Sequence, residues 1–297
     1  MSVATMAVIL SSCGGAPVLA GSVSTLTYCT NGGTALTLQL YHPTTVPEHP
    51  VPVVVYFHGG AWELGTPSIQ AGTHFGDVES DLVNHGWDFA TVQYRLAPQW
   101  PWPAQIIDAK CAIRYLRASA AFLHIDPSRI GVFGWSAGGQ LAAMVGLAGP
   151  NAGFDVGQYV GQSSRVQAVV DEYGPADLAS PGWLSSPIAP QVDPAVFGVT
   201  PGNDTAALAA ASPVTYAGPS APPFLVIQGS EDSIVVPPQS IELVDRLTAA
   251  RDEARLIMVQ GAGHGLKQEG SSPIEPDVVT LTSDVASFYF AKLAQPG

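Results

Sequence analysis

The chain has 297 residues, 46% of them hydrophobic, which is enough for one large core or two modest ones and excludes a disordered chain. Only 11 Lys and Arg stand against 24 Asp and Glu, a net charge of −13, and the first Lys or Arg is Arg95, so nucleic acid is not expected as a partner. No apolar run reaches the roughly 18 to 20 residues needed to cross a bilayer, which leaves the N-terminus as the one place for membrane attachment.

Residues 1–24 read as a leader. The short apolar run ends in Leu10-Ser11-Ser12-Cys13, which resembles the lipobox at which bacterial lipoprotein precursors are cleaved before an acylated cysteine. The basic segment of an export signal is missing, and no charge of either sign precedes Glu48. The stretch is therefore either an export-signal remnant, with lipid attached at Cys13, or an uncharged tail. The acidic, lysine-poor composition favours the first, and with it an extracytoplasmic location.

From residue 25 to 297 the pattern is that of one α/β domain. Two alternating runs, TLTYCT and ALTLQLY, flank Asn31-Gly32-Gly33 and predict a β-hairpin. PVVVYFHGG (52–60) and WDFATVQYR (87–95) are β-branched and aromatic runs that predict buried strands. In AQIIDAKCAIRYLRASAAF, Ile106, Ala109, Ile113 and Leu116 make one helical stripe, with Arg114 and Arg117 off it. A strand (129–135), a helix from Ala137, strands at 166–174 and 223–230, a helix at 240–250, a strand at 253–260 and a helix from Asp277 follow. Strand and helix alternate, so the expected fold is a mostly parallel sheet with helices on both faces. Residues 174–222, rich in Pro, Gly, Ser and Ala, break the rhythm and predict a short cap-like insertion, helical only near Thr205 to Ala211.

Gly134-Trp135-Ser136-Ala137-Gly138 sits where a strand gives way to a helix, at the carboxyl end at which such sheets bind ligands. Glycines on both sides of a serine allow a tight turn, and the helix N-terminus behind it favours developing negative charge. A serine hydroxyl needs a base, and of seven histidines only His264, in the glycine-lined VQGAGHG, follows it. The imidazole in turn needs an acid. Asp232, just past the strand at 223–230, fits best, while Glu231, Asp171 and Glu172 remain open as alternatives. His58-Gly59-Gly60-Ala61-Trp62 ends an earlier strand with small residues whose amides can face that of Ala137, as an oxyanion hole requires.

The stretches YFHGGAW, VQYRLAP, PWPAQIIDAKCAIRYLRA, DPSRIGVFGWSAGG, ASPVTYAGPSAPPFLVIQGSEDSIVVPPQS and GAGHG resemble the α/β-hydrolase superfamily, over roughly residues 25 to 293. Within it they are similar to the carboxylesterase branch with an HGG-type loop, the hormone-sensitive-lipase-like and feruloyl-esterase-like acyl esterases. The resemblance implies an α/β-hydrolase fold, Ser136 as nucleophile, Asp232 as acid, His264 as base, and the amides of Gly60, Ala61 and Ala137 as the oxyanion hole. Because Ala61-Trp62 stands where a third glycine is usual, Gly59 remains a candidate donor. The resemblance also implies a structural His58 and a pocket-lining Trp62.

The expected function is hydrolysis of short-chain or small-acyl esters through an acyl-enzyme, with a small-molecule ester as partner and no cofactor. No metal is expected, since the histidines lack H-x-x-x-H spacing and the cysteines lack C-x-x-C. A serine peptidase of the prolyl-oligopeptidase type shares the serine motif and the Asp-then-His order, but its propeller is absent. A nonenzymatic binding protein on the same fold is expected to have lost a member of the triad. In and near the insertion, Trp62, Tyr173, Trp183, Leu184 and Phe197 are candidate substrate contacts or plain packing. With Cys13 set aside, Cys29 and Cys111 form an even pair, bonded if the helix lies against the first strands and two free buried thiols otherwise.

Overall fold

Gly32 and Gly33 turn the chain between β1 (Val23–Asn31) and β2 (Thr34–Tyr41) with φ of 56° and 80°. Glycine adopts this left-handed pair without steric cost, and it matches the twist of a two-residue hairpin. The computed structural model describes residues 21–294 apart from 46, 201 and 202, so Cys13 and nearly all of the leader lie outside the described residues.

Strand β3 (Val51–Phe57) is buried at every position, as is β4 (Asp88–Val92). Between them runs α1 (His74–Asn84), capped by the Thr73 side chain, which accepts from the Gly76 N–H. After β4 come α2 (Ala104–Ala118), the single turn α3 (Ala120–Leu123), β5 (Ile125–Trp135), α4 (Ala137–Leu147) and β6 (Ala168–Glu172). The expected insertion holds more helix than its composition suggests. It contains α5 (Pro181–Leu184), α6 (Ala189–Val192), a π turn at Asp193–Phe197, α7 (Thr205–Ala210) and a 3₁₀ turn at Pro213–Thr215. The chain ends with β7 (Phe224–Gly229), α8 (Pro238–Ala249), β8 (Ala254–Val259) and α9 (Val278–Lys292).

One eight-stranded sheet, in the order β1-β2-β4-β3-β5-β6-β7-β8, carries these elements. The pairs β1/β2 and β2/β4 are antiparallel, and every pair from β4 to β8 is parallel. Strands buried on both faces are what a covered parallel sheet demands. Helices α2, α4 and α8 pack on one face with Val53, Val55 and Phe57, and α1 and α9 on the other with Val54 and Tyr56. The parallel strands therefore open their carboxyl ends on one rim, and Ser136 stands there between β5 and α4.

Two features of α2 and β1 differ from a simple reading of pattern. Arg114 is fully buried rather than off the core stripe, because its guanidinium donates to Asp155 Oδ1 (2.9 Å), Val156 O (2.6 Å) and Gln158 O (3.1 Å). A bulge between Thr27 and Cys29 turns the neighbouring Tyr28 and Cys29 both into the core, where strict alternation sets them on opposite faces. The bulge delivers Cys29 to α2, and its sulfur is bonded to that of Cys111 with the Cα atoms 6.5 Å apart.

Candidate active site

Ser136 has φ 53° and ψ −123°, a backbone conformation that costs strain in a non-glycine residue and persists because its surroundings over-determine it. Its N–H donates to Glu172 O on β6 (2.8 Å), and its carbonyl accepts from Gln140 in the first turn of α4 (3.0 Å). The flanking glycines are obligatory by contact. A Cβ on Gly134 would lie 2.1 Å from Gly138 O, and one on Gly138 would lie 2.0 Å from Phe57 O. Close backbone packing thus fixes the turn and brings the end of β3 against the start of α4.

The loop after β8 carries His264, whose side chain is 19% exposed. Its Nε2 lies 3.0 Å from Ser136 Oγ and its Nδ1 2.8 Å from Asp232 Oδ2. Asp232 is almost wholly buried, and its carboxylate is held in place: Oδ1 accepts from the amides of Ile234 and Val235, both at 2.9 Å, and Oδ2 from Gln228 Nε2 at 3.3 Å. A carboxylate that accepts at Nδ1 puts the ring's proton there and leaves the Nε2 lone pair to the serine hydroxyl. Of the four acids open from sequence, only Asp232 touches the imidazole among the described residues. Glu231 is exposed and accepts from Ser230 Oγ; Asp171 binds the Gly174 amide (2.9 Å); Glu172 binds His74 (2.7 Å).

Gly60, Ala61 and Trp62 have successive positive φ values of 110°, 54° and 58°, so the loop after β3 coils tightly, with Glu63 and Leu64 both donating to Gly60 O. The amides of Gly60, Ala61 and Ala137 donate to no acceptor among the described residues. Gly59 is a glycine for another reason: a Cβ there would lie 2.7 Å from the Trp135 ring. His58 is buried and stacked on Tyr94, whose hydroxyl donates to His58 O (2.7 Å), and burial pushes its imidazole below the usual range.

The candidate substrate contacts need correction. Trp62, Tyr173 and Trp183 are each only 1% exposed, so their rings are wall and not pocket surface. The indoles of Trp62 and Trp183 donate to Gln140 Oε1 (3.1 Å) and Asp193 Oδ1 (2.9 Å), which locks them in place. Tyr173 instead meets the His264 ring edge-on at 5.1 Å and backs it. Phe197 and Leu184 keep partial exposure. Sequence reasoning also missed Gln228, which orients Asp232, and Gln140, which ties α4 to Trp62 and to Ala211 O (2.7 Å). Among the described residues no group of three or more His, Cys, Asp or Glu side chains is gathered to hold a metal.

The BD-FAE family model matches residues 38–247, which include β3, the coiled loop after it, the Ser136 turn and Asp232. The chain belongs to the BD-FAE family. Its fold is that of the α/β-hydrolases. Esterase LipC of Mycobacterium tuberculosis is 34% identical over 233 residues, 77% of this BD-FAE chain and 56% of LipC. The chain spans about half the length of the curated relatives it matches. Among solved structures, a truncated carbohydrate esterase from gut microbiota superposes with a TM-score of 0.75 at 26% identity, covering 94% of this chain and 99% of that one. A bifunctional GH43-CE protein of Bacteroides eggerthii superposes with a TM-score of 0.72 at 30% identity, over 86% of this chain and 36% of that one.

Proposed function

We propose that this BD-FAE chain is a serine carboxylesterase that hydrolyses short-chain acyl esters in two steps. The observation that carries the reading is the unbroken relay from Ser136 Oγ through His264 to Asp232, at 3.0 and 2.8 Å. Ser136 attacks the ester carbonyl as His264 Nε2 takes its proton. The oxyanion is received by the amides of Ala137 and of Gly60 or Ala61, and His264 returns the proton to the departing alcohol. Water then repeats the sequence on the acyl-enzyme and frees Ser136. Asp232 keeps Nδ1 protonated and stabilises the imidazolium that forms.

The preference for small acyl groups is supported by the insertion, whose helices are too short to form a long apolar lid. A carbohydrate alcohol is supported by the two structural relatives named as carbohydrate esterase and GH43-CE. It is also supported by a cavity of about 220 Å³ past the carboxyl end of β4, lined by Gln93, Gln99 and Trp100. An extracytoplasmic setting belongs to the same reading, supported by the bonded Cys29–Cys111 pair. The test compares p-nitrophenyl acetate, butyrate and palmitate, an acetylated xylo-oligosaccharide, and a proline β-naphthylamide. The reading expects turnover of the short esters and the acetylated sugar, and none by Ser136→Ala. A maximum on palmitate contradicts the short-chain preference, and amide cleavage without ester cleavage contradicts the esterase.

A further inference from the structure

A second imidazole–carboxylate pair lies behind the Ser136 turn, on the α1/α9 face of the sheet, and the hydrolytic cycle does not use it. His74 Nε2 is 2.7 Å from Glu172 Oε1, and the His74 and Glu172 side chains are 8% and 0% exposed. On the other side of the ring, Nδ1 is 2.8 Å from Thr282 Oγ1, which also lies 3.0 Å from Val278 O. The Thr282 hydroxyl has one proton for two neighbours and serves Nδ1 or Val278 O, so a single imidazole proton at Nε2 is enough to join the ring to Glu172. Glu172 Oε2 is buried without a partner, so His74 alone answers the charge of that carboxylate among the described side chains.

Glu172 is also the residue whose carbonyl receives the Ser136 N–H, and the next residue, Tyr173, places its ring against His264. Phe75, adjacent to His74, stacks on Trp135 at 5.5 Å. One side chain pair thus holds the backbone that sets Ser136 and the ring that backs His264. We propose that His74 is a positioning residue for ester hydrolysis: the proton it shares with Glu172 fixes the end of β6 and, through it, the Ser136–His264 geometry.

This inference rests on the esterase reading. The groups facing the pair are Asp77 on α1, Tyr56 on β3, Asp171 and Tyr173 beside Glu172, and Tyr289 on α9. Burial pulls the His74 imidazole down, but the charge and hydrogen bond of Glu172, with the charge of Asp77, outweigh it and hold it above the ordinary 6.5.

Kinetics of p-nitrophenyl butyrate hydrolysis, with thermal melts, test this. His74→Ala should lower kcat about 10- to 100-fold with KM changed less than about twofold, since the loss is one of alignment and not of substrate binding. His74→Gln keeps a side-chain donor for Glu172, so it should recover most of kcat. Glu172→Gln should reproduce the kcat loss if His74→Ala fails to fold. A wild type that is inactive overturns both the esterase reading and this inference. An active wild type whose folded His74→Ala variant keeps its kcat overturns the inference alone.

Discussion

The two imidazole–carboxylate pairs at the rim are close in chemistry and opposite in setting. His264–Asp232 has an imidazole open to the pocket and a carboxylate held by backbone amides, so Nε2 faces the serine while the acid anchors the other side of the ring. His74–Glu172 has a ring closed on both sides and a carboxylate with one bare oxygen, so neither group faces a substrate. Residue type alone does not decide which histidine is a base. The decisive difference is what faces the second nitrogen: a serine hydroxyl in one pair, a helix threonine in the other.

The largest effects that can break this comparison fall on the exposed pair. His264→Ala should reduce kcat by roughly 10⁴- to 10⁶-fold, and Asp232→Asn, which mis-sets the tautomer, by roughly 10³- to 10⁴-fold, both without loss of fold. Glu172→Gln should cost only about 10- to 100-fold, the range expected from misalignment. Steady-state kinetics on one ester rank the three variants. If Glu172→Gln loses more than Asp232→Asn, the roles of the two acids have been exchanged.

Much of this site was legible in the sequence because its geometry is local. The Gly134–Gly138 stretch announces a turn that only glycines can close, and β3, β4 and β5 announce themselves as apolar runs because both of their faces are covered. His264 and Asp232 were found by chain order after the serine. What escaped depends on contacts between distant segments. Helix α1 opens with His74-Phe75-Gly76-Asp77, a weak helical start, and is held by packing Val78 and Leu82 on the sheet. His74 and Glu172 are 98 residues apart, and His74 and Thr282 are 208 apart, with no motif to connect them. Trp62 and Trp183 looked like pocket residues because an indole fits either role, and only Gln140 and Asp193 show them locked into the wall.

Smaller effects sharpen the comparison by acting on stability away from the open pair. The Cys29–Cys111 bond spans 82 residues. Replacing both cysteines by serine should remove roughly 4 kcal/mol of chain-entropy stabilisation and lower Tm by roughly 10 °C, with kcat per folded molecule unchanged. A fall in kcat at a temperature where the variant is fully folded would tie the bond to the site.

Asp171 gives the smallest and most pH-selective change. Burial pushes its carboxyl from 3.8 to about 7. The unfolded chain releases this proton above about 3.8 while the folded chain holds it to about 7, so this group lowers stability progressively as pH rises through that window. Asp171→Asn keeps an acceptor for the Gly174 amide and does not titrate. Its Tm should match wild type near pH 4 and exceed it by about 2 to 4 °C at pH 7. A constant difference across that range would mean that Asp171 is already ionised in the fold.

The central claim is that Ser136 is a nucleophile activated by His264. Incubation with diethyl p-nitrophenyl phosphate, followed by intact mass and peptide mapping, tests it without reference to any natural substrate. One diethylphosphoryl group on the peptide containing Ser136, absent in Ser136→Ala and formed far more slowly in His264→Ala, is the expected result. An unmodified Ser136 in the wild-type protein, or an adduct carried by another residue, would contradict it.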